Sequence, residues 1–487
     1  MKSFKPYLFL GMQGVVLLLS LLTNWYIPLS YIMLAIIFMM VLDKLGKGLV
    51  LREIVALHTI FICLAMPTLG YTTYTRTSNF GFWVKYMPVT EETYFGFALP
   101  AIIAFSIALC WPLGREGKTD QGASLAAKVD LCRQILSRPA MKRVSLIILT
   151  TGVVMFFAMT VLPSALQFIF SLFYFTAFAG LLYVYYTPSF KYKWAILSLF
   201  VLFIFYNALR TGMFTVVAYM GITLFSFFFL GSKAGIARKL VFFLFGAFIL
   251  IIIQVVKPEF RKSTWRQNYA GSKSELFFNL MTEQLAKESM FSMKAFYPIY
   301  YRVNQGYNVA LVMRRIPEVQ PYDGGKNLSL SFASAFVPRL LWPDKPEAGG
   351  KFNMKYYAGV SIKGWSTNVG PLGEAYGSFG KFGGILFMCL LGIFIRGVYL
   401  LVFVLSKKVP LLVFWLPVLF YQITYSAETD SLQIFNSLIK SAFFIWGVYK
   451  IMPQWFGLYK DRYIMKRRRK PTIQDQVNGA QVSTHPG

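Results

Sequence analysis

Long apolar runs recur along almost the whole chain and constrain its fold more than any other feature. A membrane-spanning helix needs about 20 mostly apolar residues. Twelve candidate runs lie at 7–24, 27–42, 54–71, 94–113, 144–162, 164–186, 194–209, 211–230, 240–256, 380–404, 410–427 and 431–450. Only 14% of the 487 residues are charged, whereas soluble domains carry about 25%. The sequence therefore predicts an all-α polytopic membrane protein with about 12 transmembrane helices.

The distribution of Lys and Arg orients these helices, because short cytoplasmic loops carry an excess of positive charge. An even number of spans places both termini on one side, and most basic residues of the short loops fall there too. The short loops opposite carry only Arg76, Lys85 and Arg210. Both termini are therefore predicted to be cytoplasmic, and the run at 7–24 is interpreted as an uncleaved first helix.

The net charge of +29 does not indicate a nucleic-acid partner, because much of the basic excess lies in loops that orient helices. The four cysteines have no metal-ligand spacing. No P-loop, zinc motif, nucleophile elbow or dinucleotide fingerprint is present. Neither a cofactor nor a metal is predicted.

One loop, between the ninth and tenth spans, is much longer than the others and holds 16 Lys and Arg. Loops above about 60 residues escape the charge rule, so its charge can serve another purpose. Within it, 272–288 has helical periodicity, and the Pro- and Gly-rich segment 316–350 is predicted to be irregular. The predicted divisions are transmembrane helices 1–9 (1–256), a large external loop with short helices (257–379), helices 10–12 (380–452) and a basic cytoplasmic tail (453–487).

Two motifs near the end of this loop carry the most chemical information. The first reads P-R-x-x-W-P-D-K-P over 338–346, and its prolines fix a rigid backbone path. The second reads G-E-x-Y-x-x-F-G-x-x-G over 373–383 and places Glu374 where the chain re-enters the membrane. A carboxylate at that depth is costly unless it has a partner or a function.

These motifs resemble those of the oligosaccharide repeat unit polymerases, the Wzy-type O-antigen polymerase family. The matching residues are Pro338, Arg339, Trp342, Pro343, Asp344, Lys345, Pro346, Gly373, Glu374, Tyr376, Phe379, Gly380 and Gly383. The plan of many spans with one large external loop in the second half is also similar. The resemblance implies a GT-C-like fold in the bacterial inner (plasma) membrane. It further implies a glycosyltransferase that polymerises repeat units for O-antigen, capsule or exopolysaccharide on the outer face, with donor and acceptor both on undecaprenyl pyrophosphate.

The residue chemistry agrees with such a reaction. Arginines suit a departing pyrophosphate, because their planar fork binds phosphate oxygens in pairs. Flat aromatic faces suit sugar rings, and a carboxylate can take the proton of the acceptor hydroxyl. The candidate catalytic residues are Glu374, Arg339 and Arg210. The candidate substrate-binding residues are Arg261, Arg266, Arg314, Arg315, Trp342, Asp344, Lys345, Trp365 and Tyr376.

Several of these residues also have a purely structural interpretation. Arg210 could be an interfacial anchor, Arg339 could form a salt bridge to Asp344, and Glu374 could cap a helix or brace the loop. His58 is expected to be a packed helix histidine near the cytoplasmic side. Glu428 and Asp430, at the outer end of span eleven, are candidate partners for arginines of the loop.

Two other functions remain open at this stage. A flippase or transporter of lipid-linked oligosaccharide also needs about twelve helices and internal cations, although transporters commonly show internal repeats and short loops. An O-antigen ligase-type transferase would share the chemistry and use another acceptor. The partners expected for the polymerase are undecaprenyl-pyrophosphate-linked glycans and membrane lipid, and a chain-length regulator is a further candidate.

Overall fold

A computed structural model describes residues 6–76, 84–113, 120–159, 164–211, 215–266, 269, 271–286, 292–337, 341–342, 349–362 and 367–458. Within these residues the fold is all-helical. The first half contains α1 (Pro6–Leu22), α2 (Tyr26–Lys44), α3 (Leu51–Ile60), α4 (Met66–Thr72), α5 (Glu91–Cys110), α6 (Gly122–Leu136), α7 (Pro139–Ala158), α8 (Ser164–Tyr186), α9 (Lys193–Thr211), α10 (Thr215–Phe228) and α11 (Ile236–Arg261). The second half contains α12 (Lys273–Ala286), α13 (Met293–Val303), α14 (Gln305–Arg315), α15 (Lys326–Phe336), α16 (Gly350–Ala358), α17 (Gly370–Leu405), α18 (Leu416–Phe420) and α19 (Ser431–Ile451).

Nine helical segments in this described part of the chain are long and apolar enough to cross a membrane. They are Tyr26–Lys44, Leu51–Thr72, Glu91–Cys110, Pro139–Ala158, Ile169–Tyr186, Lys193–Arg210, Ile236–Thr264, Gly370–Leu405 and Pro410–Glu428. A π-helical turn at Phe61–Ala65 joins α3 and α4 into one of these segments. The predicted all-α, membrane-embedded fold is confirmed.

Two segments near the loop differ from the sequence prediction. The segment 316–350, predicted to be irregular, contains α15, because its prolines and glycines flank 326–336 and do not interrupt it. The helix expected to begin at residue 380 begins at Gly370, and Gly380 interrupts it with a φ of 66° and a ψ of −158°. The predicted helix at 272–288 is confirmed as α12.

Contacts between connecting segments define two ends of the molecule. At the first, termed the Lys44 end, Lys239 Nζ donates to the Leu42 carbonyl at 2.7 Å and Lys128 Nζ to Ser406 Oγ at 2.6 Å. At the second, termed the loop end, Tyr74 Oη donates to the Met293 carbonyl at 2.7 Å. Helices α12 to α16 belong to the loop end.

Close helix contacts hold the bundle together. A Cβ added to Gly152 of α7 would lie 2.5 Å from the Ala177 Cβ of α8, and one added to Gly180 would lie 2.8 Å from the Leu149 backbone nitrogen. Small residues at such crossings allow helix backbones in membranes to approach closely. The α7–α8 pair can therefore pack as it does only with glycine at both positions.

A compact group of charges, termed the Lys44 cluster (Lys44, Arg52, Glu53 and Asp120), ties together the Lys44 end. Lys44 Nζ lies 2.9 Å from Glu53 Oε1 and 2.7 Å from Asp120 Oδ2. Arg52 Nη2 lies 3.1 Å from Asp120 Oδ2. All four side chains are at most 6% exposed. Burial opposes ionisation of Asp120, but the two cations outweigh it and hold the pKa of that carboxyl below its usual value.

Candidate functional site

The carboxylate of Glu428 joins the transmembrane bundle to the loop-end helices. His58 Nε2 of α3 lies 3.3 Å from Glu428 Oε1. Arg302 Nη1 of α13 lies 3.6 Å from Glu428 Oε2. The prediction that Glu428 partners an arginine of the loop is thereby confirmed. The His58 and Glu428 side chains are 19% and 22% exposed.

Two further cations, both on α11, interact with Arg302. Lys257 and Arg261 are one turn apart on α11 and are half-buried. Lys257 interacts electrostatically with Arg261, Arg302 and Glu428, and Arg261 does so with Arg302. We term His58, Lys257, Arg261, Arg302 and Glu428 the Glu428 cluster. These five residues include three cationic side chains and one carboxylate, so cations outnumber anions among them.

Aromatic packing fixes the helix that carries Arg302. Tyr300 of α13 stacks on Tyr74 with ring centroids 4.3 Å apart, and Asn304 Nδ2 donates to Tyr300 Oη at 2.9 Å. The Lys85 backbone N–H donates to Tyr297 Oη at 2.7 Å. The tyrosine face of α13 is therefore anchored, which constrains where Arg302 can reach.

The Glu428 cluster extends below the loop end into the membrane-crossing part of the bundle. His58 is the eighth residue of the 22-residue segment Leu51–Thr72, so it lies only about 9 Å along the helix axis from Arg52. Thr59 and Ala427, the chain neighbours of His58 and Glu428, line a small cavity together with Cys63 and Leu372. The cluster can thus offer charge at a depth where bulk water is scarce.

Glu374 lies in a separate buried network. Its Oε1 accepts a 2.7 Å hydrogen bond from Asn353 Nδ2, and its Oε2 accepts one of 2.8 Å from the Ser431 backbone N–H. The residue is only 1% exposed. The second bond satisfies a backbone donor at the N-terminus of α19, a position that favours negative charge. This geometry favours the capping and bracing interpretation of Glu374.

Asp430 continues the same network. Its Oδ1 accepts from the Gln433 N–H at 2.6 Å as the N-cap of α19, and its Oδ2 accepts from the Gly349 N–H at 2.8 Å and from Asn368 Nδ2 at 2.9 Å. Burial raises the pKa of Asp430, although these hydrogen bonds act in the opposite direction. Asp430 therefore fastens the loop-end segments to α19.

The predicted arginines occupy different surroundings. Arg210 is exposed at the end of α9, and its backbone carbonyl accepts a 3.1 Å hydrogen bond from Lys273 Nζ of α12. Because α12 packs on the ends of both α9 and α11, Arg210 lies at the same end of the bundle as Arg261. On α14, Arg314 is exposed and Arg315 is half-buried, with Arg315 Nη2 donating to Gln320 Oε1 at 3.4 Å.

The predicted aromatic residues are only partly available to a ligand. Tyr376 is 8% exposed, and its ring packs against Phe97 at 5.1 Å and Tyr322 at 5.9 Å between centroids. Trp342 is half-buried. Tyr376 therefore presents little ring surface for stacking on a sugar.

The remaining predicted site residues lie outside the part of the chain that the structure describes. They are Arg339, Asp344, Lys345, Trp365 and the side chain of Arg266.

Sequence reasoning missed the two members of the Glu428 cluster that lie within the bundle. His58 was expected to be remote from the loop, and Lys257 was counted only as the start of it, whereas both share the surroundings of Glu428. Ionisable residues inside membrane segments are functional candidates by default. That signal applied to His58 and could have identified it.

Comparison with known proteins identifies one relationship. A family model described as a domain of unknown function (DUF8712) matches residues 121–402, which is more than half of the chain. No curated protein and no solved structure matches. The matched region includes Lys257, Arg261, Arg302 and Glu374, but not His58 or Glu428. The chain belongs to the DUF8712 family.

Proposed function

We propose that this protein is a glycosyltransferase that polymerises oligosaccharide repeat units carried on undecaprenyl pyrophosphate, at the outer face of the bacterial plasma membrane. The product would be an O-antigen, a capsule or an exopolysaccharide. The observation that carries the proposal is the excess of positive charge in the Glu428 cluster, at the end of the bundle where α11 meets the loop helices.

A pyrophosphate leaving group develops negative charge as its bond to the sugar breaks. Cations held beforehand at that position stabilise the transition state without reorganisation. Lys257, Arg261 and Arg302 provide such cations, and the partial burial of Lys257 and Arg261 strengthens their interactions relative to water. Arginine adds paired hydrogen bonds to phosphate oxygens. The cluster therefore matches the part of the substrate that all lipid-linked repeat units share.

The reaction breaks one bond and forms another at the anomeric carbon of the donor. The acceptor hydroxyl oxygen attacks that carbon, and the bond from the carbon to the pyrophosphate oxygen breaks, releasing undecaprenyl pyrophosphate. The hydroxyl proton passes to a carboxylate. Glu428 suits this role because it is partly exposed and lies beside the cations, and His58 and Arg302 hold its two oxygens.

Glu374 suits the role of proton acceptor less well. Glu374 is 1% exposed, whereas the Glu428 side chain is 22% exposed, so an acceptor hydroxyl can approach Glu428 more easily. Its position in the G-E-x-Y motif is better explained by a need to fasten the loop to α19. Glu374 as a catalytic base remains a prediction that a direct test must decide.

We also propose that α1, α10 and α19 cross the membrane, which gives twelve spans with both termini on the same side. In the proposed topology that side is the cytoplasm, the loop lies outside, and the plan is GT-C-like.

A flippase of the same lipid-linked oligosaccharide is a second candidate. The depth of the His58–Glu428 pair along Leu51–Thr72 favours it, because buried ionisable pairs also line transport pathways. The two functions differ in their products: a polymerase joins two repeat units, whereas a flippase moves one repeat unit across the bilayer unchanged.

Purified full-length protein in proteoliposomes, supplied with a lipid-linked repeat unit as the sole substrate, tests the proposal. We expect products of two or more joined repeats, separated by gel electrophoresis. Arg302→Ala should lower their formation about 10²–10³-fold, the usual effect of removing one transition-state donor.

Lys262→Ala is the matched control, because Lys262 follows Arg261 directly and its exposed side chain pairs with Glu259 at 3.3 Å. We expect this variant to retain wild-type rates. Transfer of intact repeat units across the bilayer without any joining would instead establish the flippase. An equal loss of polymerisation rate in Arg302→Ala and Lys262→Ala would show that the Glu428 cluster has no specific role in the reaction.

A further inference from the structure

One helix of the predicted external loop has its polar and apolar faces reversed relative to a helix in water. The side chains of α15 that face the protein are Asn327, Leu328, Ser331, Ser334 and Ala335, which are mostly polar or small. Its outward-facing side chains include Leu330, Phe332 and Phe336, which are 40%, 44% and 58% exposed. A helix at an aqueous surface would bury the apolar set and expose the polar one.

The buried side chains of Asn327 and Ser334 on α15 have hydrogen-bond partners inside the protein. Asn327 Nδ2 donates to Tyr357 Oη at 3.2 Å, and Ser334 Oγ donates to the Ser331 carbonyl at 2.9 Å. The small residues Ser331 and Ser334 also allow close helix contact. The inward face is therefore a complete protein interface, and the outward apolar face needs a separate explanation.

The outward face adjoins the membrane-embedded surface. The Phe332 ring packs edge-on against Phe435 of α19, with centroids 5.1 Å apart. Phe435 in turn packs against Phe394, at 5.5 Å, within the membrane-length segment Gly370–Leu405. On that segment Leu390 and Ile393 are 53% and 49% exposed. The apolar surface of α15 thus connects, ring to ring, with a helix whose exposed apolar side chains face lipid.

We infer that α15 is embedded in the membrane leaflet at the loop end, and that the partner of its outward face is the acyl chains of the bilayer lipids. Only backbone whose hydrogen bonds are satisfied internally is tolerated there, and α15 meets this requirement as a helix. Lys326 is exposed at its first residue, where its ammonium can reach the headgroups. This assignment is independent of the proposed reaction.

Site-directed spin labelling of the full chain in phosphatidylethanolamine–phosphatidylglycerol vesicles tests the inference. Cysteine is introduced by Leu330→Cys or Phe336→Cys into a chain whose four native cysteines are replaced by alanine. Leu390→Cys is the lipid-facing reference, and Val319→Cys, at a position 71% exposed in the turn after α14, is the water-facing reference. Power saturation then compares the accessibility of each label to oxygen and to a water-soluble nickel chelate.

We expect labels at 330 and 336 to favour oxygen over nickel, as at 390, with the opposite preference at 319. A preference for nickel at 330 and 336 would overturn the inference, because the face would then lie in water. Low accessibility to both reagents would also overturn it, because a protein surface such as a second copy of the chain would then cover the face. Both labelled positions are exposed, so the variants are expected to fold.

Discussion

The charged clusters at the two ends of the molecule differ in their balance of charge and in their exposure. At the Lys44 end, two cations and two carboxylates lie 2.7–3.1 Å apart across their closest pairs and are at most 6% exposed. At the loop end, Glu428 lies 3.3 Å from His58 Nε2 and 3.6 Å from Arg302 Nη1, and Lys257 and Arg261 of α11 interact electrostatically with Arg302. Arg302 is 56% exposed. The first cluster is balanced and closed, and the second is unbalanced and open.

This difference separates a structural role from a ligand-binding one. Buried ions are tolerated when their charges balance, and hydrogen bonds of 2.8 Å from Arg52 Nη1 to the Leu109 and Trp111 carbonyls add to the ion pairs of this cluster. The Glu428 cluster instead holds three cationic side chains and one carboxylate. A phosphate-bearing ligand would bring further negative charge to these cations.

The largest effect is expected from opening the balanced cluster. Asp120→Ala leaves Lys44 and Arg52 buried without their shared carboxylate, and breaking a buried ion pair from one side costs about 3–5 kcal/mol. We expect most of the folded protein to be lost, as measured by thermal unfolding in detergent and by membrane yield. Asp43→Ala is the control, because its pair with Lys47 is largely exposed (22% and 48%), and such pairs contribute about 0–1 kcal/mol. Equal stability of the two variants would contradict a structural role for the Lys44 cluster.

The next largest effect is expected when Glu428 and Glu374, two carboxylates of the loop end, are each replaced by glutamine. Glu428→Gln removes the proposed proton acceptor, so the polymerisation rate per folded molecule should fall about 10²–10⁴-fold. Glu374→Gln should retain that rate but lower the free energy of unfolding by about 1–3 kcal/mol, because an amide N–H₂ then faces a backbone or Asn353 donor. Rates from single-turnover assays, normalised to folded protein, measure both. Loss of the rate in Glu374→Gln at unchanged stability would restore Glu374 as the catalytic base.

Structural features that depend on local sequence could be predicted, whereas those that depend on contacts between distant residues could not. The membrane-embedded helices follow from local apolar runs, because lipid imposes a length and composition on each span. The boundary at Gly370 was missed because Gly-rich residues 370–379 read as a turn, whereas they form a helix packed against neighbouring elements. The helix α15 was missed because the prediction used the Pro and Gly content of the whole segment 316–350. Residues 326–336 within it contain neither Pro nor Gly and form the helix.

The candidate site was harder to predict, because it depends on contacts between distant parts of the chain. His58 and Glu428 are 370 positions apart, and only the fold brings them within 3.3 Å. Motif matching correctly drew attention to Glu374, but it could not show that Asn353 and Ser431 occupy its oxygens. Arg302 was one of several loop arginines, and its selection follows from the anchoring of α13 through Tyr300.

A smaller effect is expected on the affinity of the Glu428 cluster for pyrophosphate. Arg261→Ala removes one cation from the cluster, and hydrogen bonds to charged groups contribute about 1.5–3 kcal/mol. Inorganic pyrophosphate, tested as a competitor of the lipid-linked substrate, should therefore inhibit this variant about 10–100-fold more weakly than the wild type. Arg133→Ala is the control, because its exposed pair with Asp130 lies on α6, away from the Glu428 cluster. Unchanged inhibition of Arg261→Ala would show that pyrophosphate does not bind at Arg261.

The smallest effect is expected on how the free energy of unfolding changes at acidic pH, to which Asp120 of the Lys44 cluster contributes. Because the pKa of Asp120 is lowered in the folded protein, the folded state binds fewer protons than the unfolded state over the interval between the two pKa values. The resulting stability is fully present above the unfolded pKa of about 3.9 and is lost as pH falls through the folded pKa. Asp120→Asn should therefore reduce the acid-side slope of the free energy of unfolding by at most one proton, about 1.4 kcal/mol per pH unit. Unfolding measured at several pH values between about 5 and 3 tests this. An unchanged slope would mean that Lys44 and Arg52 do not lower the pKa of Asp120. The Lys44 cluster would then not be stabilised by the pairing of these charges.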